Sequence, residues 1–283
     1  RDRLVPGALE KYGLRFGVEL EVEASDEGDR LDPLAKRVRQ SMPTLIASIE
    51  HDGSLEHGFE IVTHAAGLDV HRDQWSKVAL DGLRSHTTRT CGLHVHFTRA
   101  AVTPLTIGKV VDFFGNPHNQ GFLETMARRT FNDYARTCQK ALWRGKTGRN
   151  ERTRQVEPYG SRYEAVNVTN EHTIEIRLAK GTTRRETIIA WVEFVHAVIA
   201  FAEQTALEYK KRTFSARGEG DATGLTHERL TAFVCADHML ADTRYLRQYM
   251  VRRDLLPLTQ ARLPRARQPQ PIQRTDEDGR AIA

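Results

Sequence analysis

"LRFGVELEVE", residues 14–23, places an apolar side chain at every second position, and from Val18 onward the residues between them are all glutamates. Phe16, Val18, Leu20 and Val22 fall on one side of an extended chain, and Glu19, Glu21 and Glu23 fall on the other. The stretch reads as a β-strand with one face for a core and one face of carboxylates. Its surroundings decide whether those carboxylates are merely solvated or belong to a site.

Further segments repeat the pattern. "LIASIEHDGSL" (45–55) reads as a strand entering an Asp-Gly turn at Asp52 and Gly53, and "GFEIVTH" (58–64), bearing Glu60, as its hairpin partner. "CGLHVHFT" (91–98) sets His94 and His96 two apart in an apolar strand. "RYEAVNVTNEHTIEIRLAK" (162–180) reads as a hairpin about Asn170 and Glu171, with Ile174, Ile176 and Leu178 facing away from Glu175 and Arg177.

Between the strands lie helical patterns. One begins near Pro33 with Asp32 as its cap, one runs from about Asp69 to Leu83, and one runs from Pro104 to about Phe114. A long apolar helix covers Arg185 to Tyr209, and two amphipathic helices lie within 226–254. Hairpins with helices inserted between them predict an α+β fold, an antiparallel sheet lining a cleft with helices on its other face. One catalytic domain over 1–256, a basic insertion at about 118–160 and a mobile Pro- and Gln-rich tail at 257–283 complete the expected organisation.

Composition narrows the class. With 39% hydrophobic and 28% charged residues, the profile is that of a folded soluble chain rather than a disordered one. No apolar run approaches the roughly 18 to 20 residues of a membrane span, and "RDRLVPGALEKYG" lacks a secretory apolar stretch, so a cytoplasmic location is expected. Cys91, Cys138 and Cys235 are widely spaced, which predicts reduced thiols rather than disulfides or a zinc ribbon. The net charge of +5 is concentrated in 128–162, including Arg128, Arg129, Arg136, Arg144, Lys146 and Arg162, and that segment favours an anionic partner.

Solvent-facing strand positions ordinarily mix Thr, Lys, Ser and Gln with Glu. Here the polar faces offer almost only oxygen and imidazole ligands: Glu19, Glu21, Glu60, His94, His96 and Glu175. Same-face residues two apart in a strand are roughly 6.5 to 7 Å apart, so Glu19 and Glu21 can each reach one of two neighbouring cations. The excess of carboxylate over imidazole favours Mg²⁺ or Mn²⁺ over zinc. Arg177 adds a fork-shaped donor suited to phosphate.

"FGVELEVE", "HDGSL" with "GFEIVTH", "CGLHVHFT" and "RYEAVNVTNEHTIEIRLAKGTT", in this order, resemble the amidoligase family of the glutamine synthetase and glutamate-cysteine ligase superfamily. The resemblance implies a glutamine synthetase-like catalytic fold and an ATP- and Mg²⁺-dependent ligase that joins a carboxylate to an amine or ammonia through an acyl phosphate. It implies metal ligation by Glu19, Glu21, Glu60, His94 and Glu175, and phosphate contacts by His94, His96 and Arg177. By the same resemblance Arg162 and Asn167 contact substrate or nucleotide, Glu175, Arg177 and His96 take part in catalysis, and Asp52 or Glu50 supplies further carboxylates. Two other readings of the residues stay open. One is a two-metal phosphodiesterase or nuclease whose basic segment grips nucleic acid, and the other is a nucleotide-binding module without catalysis.

Overall fold

The computed structural model describes residues 13–26, 28–85, 88, 90–131, 163–209 and 224–263. Seven antiparallel strands form one sheet: β1 (Phe16–Ala24), β2 (Ile46–Glu50), β3 (Gly58–Thr63), β4 (Leu83–Arg84), β5 (Gly92–Thr98), β6 (Val166–Asn167) and β7 (Thr173–Lys180). Their order is β2-β3-β1-β5-β7-β6, with β4 pairing the far end of β1. β1 therefore lies at the centre, flanked by the two strands that carry Glu60 and the histidines.

The alternation of "FGVELEVE" is realised as expected: Phe16, Val18, Leu20 and Val22 are buried on the apolar face with Ile61, Leu93, Val95, Phe97, Ile174 and Ile176. Seven helices accompany the sheet among the described residues: α1 (Leu31–Ser41), α2 (Leu68–Trp75), α3 (Pro104–Gly115), α4 (Gln120–Ala127), α5 (Arg185–Tyr209), α6 (His227–Val234) and α7 (Arg244–Arg252). α5 is apolar around most of its circumference, and Ile188 to Val195 are all buried, as a helix enclosed by neighbours requires. It packs against β5 and is flanked by α2, α3 and α7.

Several boundaries differ from the sequence expectation. α1 begins at Leu31, not Pro33, with Arg30 as N-cap, so Asp32 lies inside the first turn, where its charge favours the helix N-terminus. α2 ends at Trp75 rather than near Leu83. Gly82 adopts φ +77°, a left-handed turn that sends Leu83 and Arg84 into pairing with Ala24 and Glu23. Among the described residues between α3 and β6 the one α-helix is Gln120–Ala127, and Arg128 at φ 60° caps it in the left-handed region. Most of the basic segment, 132–162, lies outside the described residues, as does Cys138.

The start of the expected tail is packed. Residues 257–263 fold back on α7, where Arg247 donates to the carbonyls of Ala261 and Arg262, and Ala261 is buried. The remainder, 264–283, lies outside the described residues. Among the described residues no helix is long and apolar enough to cross a membrane, and Cys91 and Cys235 are free thiols.

Candidate active site

Strand register assembles the polar face. Glu21 lies opposite Glu60 and Glu19 opposite His94, while His96 and Asn167 both lie opposite Glu175. The β5–β7 register shifts between Leu93 and Val95, where β7 carries one extra residue across from His94. Residues from β3, β1, β5, β7 and β6 thus meet on one surface.

This face is not a solvated one. Glu21 is 7% exposed, His94 6% and Glu175 3%. Burying unpaired carboxylates side by side costs free energy unless hydrogen bonds, cations or protons compensate. Part of the compensation is visible. Glu21 Oε2 accepts the Gly92 N–H at 2.5 Å, and Glu175 Oε2 accepts from Asn167 Nδ2 at 2.8 Å. Arg177 pairs with Glu175 Oε1, and its Nε is buried without a hydrogen-bond partner among the described residues.

The two imidazoles bind the row together. His94 Nδ1 is 3.4 Å from Glu19 Oε2 and 3.5 Å from Glu175 Oε1, and its Nε2 is 4.0 Å from Glu21 Oε1. His96 Nε2 lies 3.2 Å from Glu19 Oε1, and its Nδ1 lies 3.3 Å from Thr173 Oγ1. Burial alone would raise the Glu19 carboxyl, but hydrogen bonds and positive charge from His94 and His96 outweigh it and hold the group far below the usual carboxylate range. Burial likewise opposes charge on His96, and the Glu19 and Glu175 carboxylates reverse it, so His96 titrates above an ordinary imidazole.

The other half of the row is short of positive charge. Burial, followed by the negative charges of Glu19, Glu21, Asp52 and Glu50, pushes Glu60 up to about 8. Three overlapping groups bring one ligand atom per residue within 4.8 Å of one another: Glu19–His96–Glu175, Glu19–Glu60–His94 and Glu21–Asp52–Glu60. The donor set is mainly hard oxygen with one imidazole at most per group, and Glu60 carries an uncompensated like-charge repulsion. Both features fit a divalent cation of the Mg²⁺ or Mn²⁺ kind.

Glu19, Glu21, Glu60, His94, His96, Asn167, Glu175 and Arg177 are all brought together on this face, and Arg162 lies outside the described residues. Glu50 lies opposite Glu60 but is exposed and accepts from Ser48 Oγ, whereas Asp52 joins a ligand group. Glu23 is buried but belongs to structure, held by Arg84 at 3.3 Å.

Two site residues escape strand periodicity. Gly92 donates to Glu21 and leaves room for the His94 ring, since a β-carbon there would lie 2.7 Å from His94 Nε2. A glycine inside a strand pattern is the signal of such a close approach. Arg129, just past α4, is half-buried, and its Nε has no hydrogen-bond partner among the described residues. Burial lowers its pKa, Glu21 opposes that and Arg177 adds to it, so it stands within electrostatic reach of the face. In the sequence it is one arginine of a long basic run. A cavity of about 190 Å³ lined by Arg15, Gly17, Glu19, Thr63, His96 and Thr173 opens beside the Glu19 and His96 end.

Fold and site together define an α+β protein whose central antiparallel sheet carries a buried face of carboxylates and imidazoles. No protein-family model matches the chain, and a search of curated proteins finds no match. Among solved structures, the crystal structure of the complex between prokaryotic ubiquitin-like protein Pup and its ligase PafA is similar, with a TM-score of 0.40 and 11% identity. The match covers 89% of this chain and 66% of that chain. A likeness this distant bears no weight for function, which rests on the residues of the site.

Proposed function

We propose that the chain is an ATP-dependent ligase that joins a carboxylate to an amine or ammonia. The observation that carries the reading is the in-register row Glu60–Glu21/Glu19–His94/His96–Glu175, buried at Glu21, His94 and Glu175 and partly buried elsewhere, with Arg177 at its end. Such a face suits a triphosphate held through divalent cations, because phosphoryl transfer asks the protein chiefly for positioning and charge stabilisation.

In this reading Glu19, Glu60 and His94 hold one cation, and Glu21, Asp52 and Glu60 or Glu19, His96 and Glu175 another. Cations held by these residues would supply charge neutralisation for the phosphates. The substrate carboxylate oxygen attacks the γ-phosphorus, the bond to the β-phosphate oxygen breaks, and ADP leaves. The amine nitrogen then attacks the acyl carbon, inorganic phosphate departs with the bonding pair, and the amine proton passes to solvent or a base. Arg177 offers its guanidinium to the transferring group, and Asn167 fixes the Glu175 carboxylate. His96, next to the 190 Å³ cavity, supplies a positive edge to the anion.

The test is thermal unfolding with a non-hydrolysable ATP analogue in Mg²⁺ and in EDTA, followed by ADP release across acid and amine pairs. A ligand at a hundred times its Kd adds about 2.7 kcal/mol, a shift of roughly 5 to 10 °C for a chain of this size. The expected result is a Mg²⁺-dependent shift that disappears in Glu19→Ala, with ADP released only when both co-substrates are present. Phosphodiester cleavage without ATP would replace the reading with a nuclease. Tight nucleotide binding with no turnover on any pair would replace it with a binding module.

A further inference from the structure

A second cluster of ligand atoms shares no residue with the sheet face. His118 lies in the 3-10 turn Pro117–Asn119, and His227 and Glu228 open α6. His118 Nε2 is 2.9 Å from Glu228 Oε1 and 3.2 Å from Oε2, and His227 Nε2 is 3.4 Å from the same Oε1. One atom from each of the three residues falls within 4.8 Å of the others. The imidazole rings lie side by side, their centroids 5.3 Å apart.

An exposed histidine beside a glutamate is ordinarily a weak surface ion pair. What distinguishes this one is how His227 is held. Asn119 is fully buried, and its Nδ2 donates to the carbonyls of Phe113 at 3.0 Å and Leu225 at 2.8 Å. Two carbonyls on that side fix the amide orientation, so Oδ1 faces the other way. There it accepts the His227 backbone N–H at 2.9 Å and lies 3.4 Å from His227 Nδ1. Facing a carbonyl oxygen, Nδ1 is the nitrogen placed to donate, which leaves Nε2 of the neutral ring as the free ligand atom, 3.4 Å from Glu228 Oε1. A lone pair beside a carboxylate oxygen is repulsive unless a proton or a metal cation stands between them, and the metal is the occupant that also engages His118.

The rest of the cluster is equally built. Phe122 stacks on the His227 ring at 5.1 Å and 22°, which sets the ring plane. Asn116 Oδ1 accepts the His118 N–H at 3.0 Å and shapes the turn that presents His118. A metal-bound imidazole whose second nitrogen donates to a fixed oxygen is the usual outer-shell arrangement of a metal site.

We propose that His118, His227 and Glu228 form a binding site for a late first-row divalent metal, of the Zn²⁺ class, that clips the start of α6 to the Pro117–Asn119 turn. Two imidazole nitrogens and one carboxylate oxygen suit Zn²⁺, Co²⁺ or Ni²⁺ and are poor ligands for Mg²⁺, so the site stays selective while Mg²⁺ occupies the sheet. His118 and Glu228 are 110 residues apart in sequence, and a metal bound at both ends stabilises the fold by mass action. The remaining coordination positions face solvent and take water. The site is independent of the ligase reading and stands or falls without it.

The experiment is calorimetric titration of the untagged full chain with Zn²⁺ in millimolar Mg²⁺, repeated with Co²⁺ and read by visible absorption. The expected result is one equivalent bound, with a Co²⁺ band that Zn²⁺ displaces. His118→Ala and Glu228→Gln, both at exposed positions and checked for folding by circular dichroism, should each raise the Zn²⁺ Kd by at least roughly tenfold. Glu19→Ala should leave it unchanged. No heat of binding, a Kd unchanged in the His118→Ala/Glu228→Gln double variant, or binding lost in Glu19→Ala while kept in the double variant would each overturn the proposal.

Discussion

Glu21 and Glu60 face each other directly across β1 and β3, and with Asp52 they hold three carboxylate oxygens within 4.8 Å of one another. Burial and then the surrounding negative charges raise Glu60 to about 8, so at pH 7 the folded chain keeps a proton that the unfolded chain releases. A raised carboxyl gives stability below its unfolded value and loses it as pH climbs toward the folded one. Glu60→Gln removes this cost. In EDTA at pH 7 the variant should be more stable by about 1 kcal/mol after solvent screening, and the stabilisation by Mg²⁺ should be lost. Urea denaturation with and without Mg²⁺ measures both, and a less stable variant in EDTA would contradict the account.

Gly92→Ala places a methyl group 2.7 Å from His94 Nε2 and 3.5 Å from Glu21 Oε2. The obstacle is the far end of a side chain rather than backbone, so His94 swings aside and the strand survives at a cost of about 1 kcal/mol. The expected outcome is a folded protein whose Mg²⁺-dependent response to the ATP analogue is gone. An unaltered thermal shift would mean that His94 has no part in binding.

Arg177 and Arg129 should separate by kinetics. Arg177→Lys keeps charge but loses the bidentate fork, and should lower kcat more than it raises the KM for ATP. Arg129→Met keeps the apolar stem and removes the charge, and should weaken nucleotide binding by roughly tenfold or more, the worth of a charge-assisted hydrogen bond. Steady-state ADP release checks both, and equal kcat for wild type and Arg177→Lys would remove Arg177 from the transferring group.

His71 governs an acid transition away from the site. It is fully buried, with Nε2 2.7 Å from the Phe16 carbonyl and Nδ1 accepting from Trp75 Nε1 at 3.2 Å. Both nitrogens are satisfied in the neutral ring, and burial lowers the pKa to about 4, opposed by the Phe16 carbonyl. Between an unfolded value near 6.5 and about 4 the unfolded chain holds the extra proton, so stability falls as pH drops through that window. His71→Gln keeps a donor and an acceptor and should lose about 2 kcal/mol less than wild type between pH 7 and pH 4.5. Parallel urea curves at the two pH values test it, and equal losses would rule the group out.

Much of the site is legible along the chain because a strand's side-chain period is two. Once "FGVELEVE", "GFEIVTH", "CGLHVHFT" and "TIEIRLAK" are strands, the face of Glu19, Glu21, Glu60, His94, His96, Glu175 and Arg177 follows without coordinates. The long apolar helix Arg185–Tyr209 is equally plain. Helix ends are less so: Val78 and Leu80 continue an apolar pattern past Trp75, and only the pairing of Leu83 with Ala24 and the turn at Gly82 end α2 where it does.

Local alternation thus determined which residues share a polar face, and composition determined that they are mostly hard ligands. Tertiary structure decided that the face is largely withdrawn from solvent, that β1 lies between β3 and β5, and that His94 stands within 3.5 Å of both Glu19 and Glu175. It also chose Asp52 over Glu50, drew in Gly92 and Arg129, and joined His118 to Glu228. The physical reason is range. Side-chain periodicity is set by a residue's own backbone, whereas strand order, register and burial are set by pairings between segments far apart in the chain, whose energies no single segment contains.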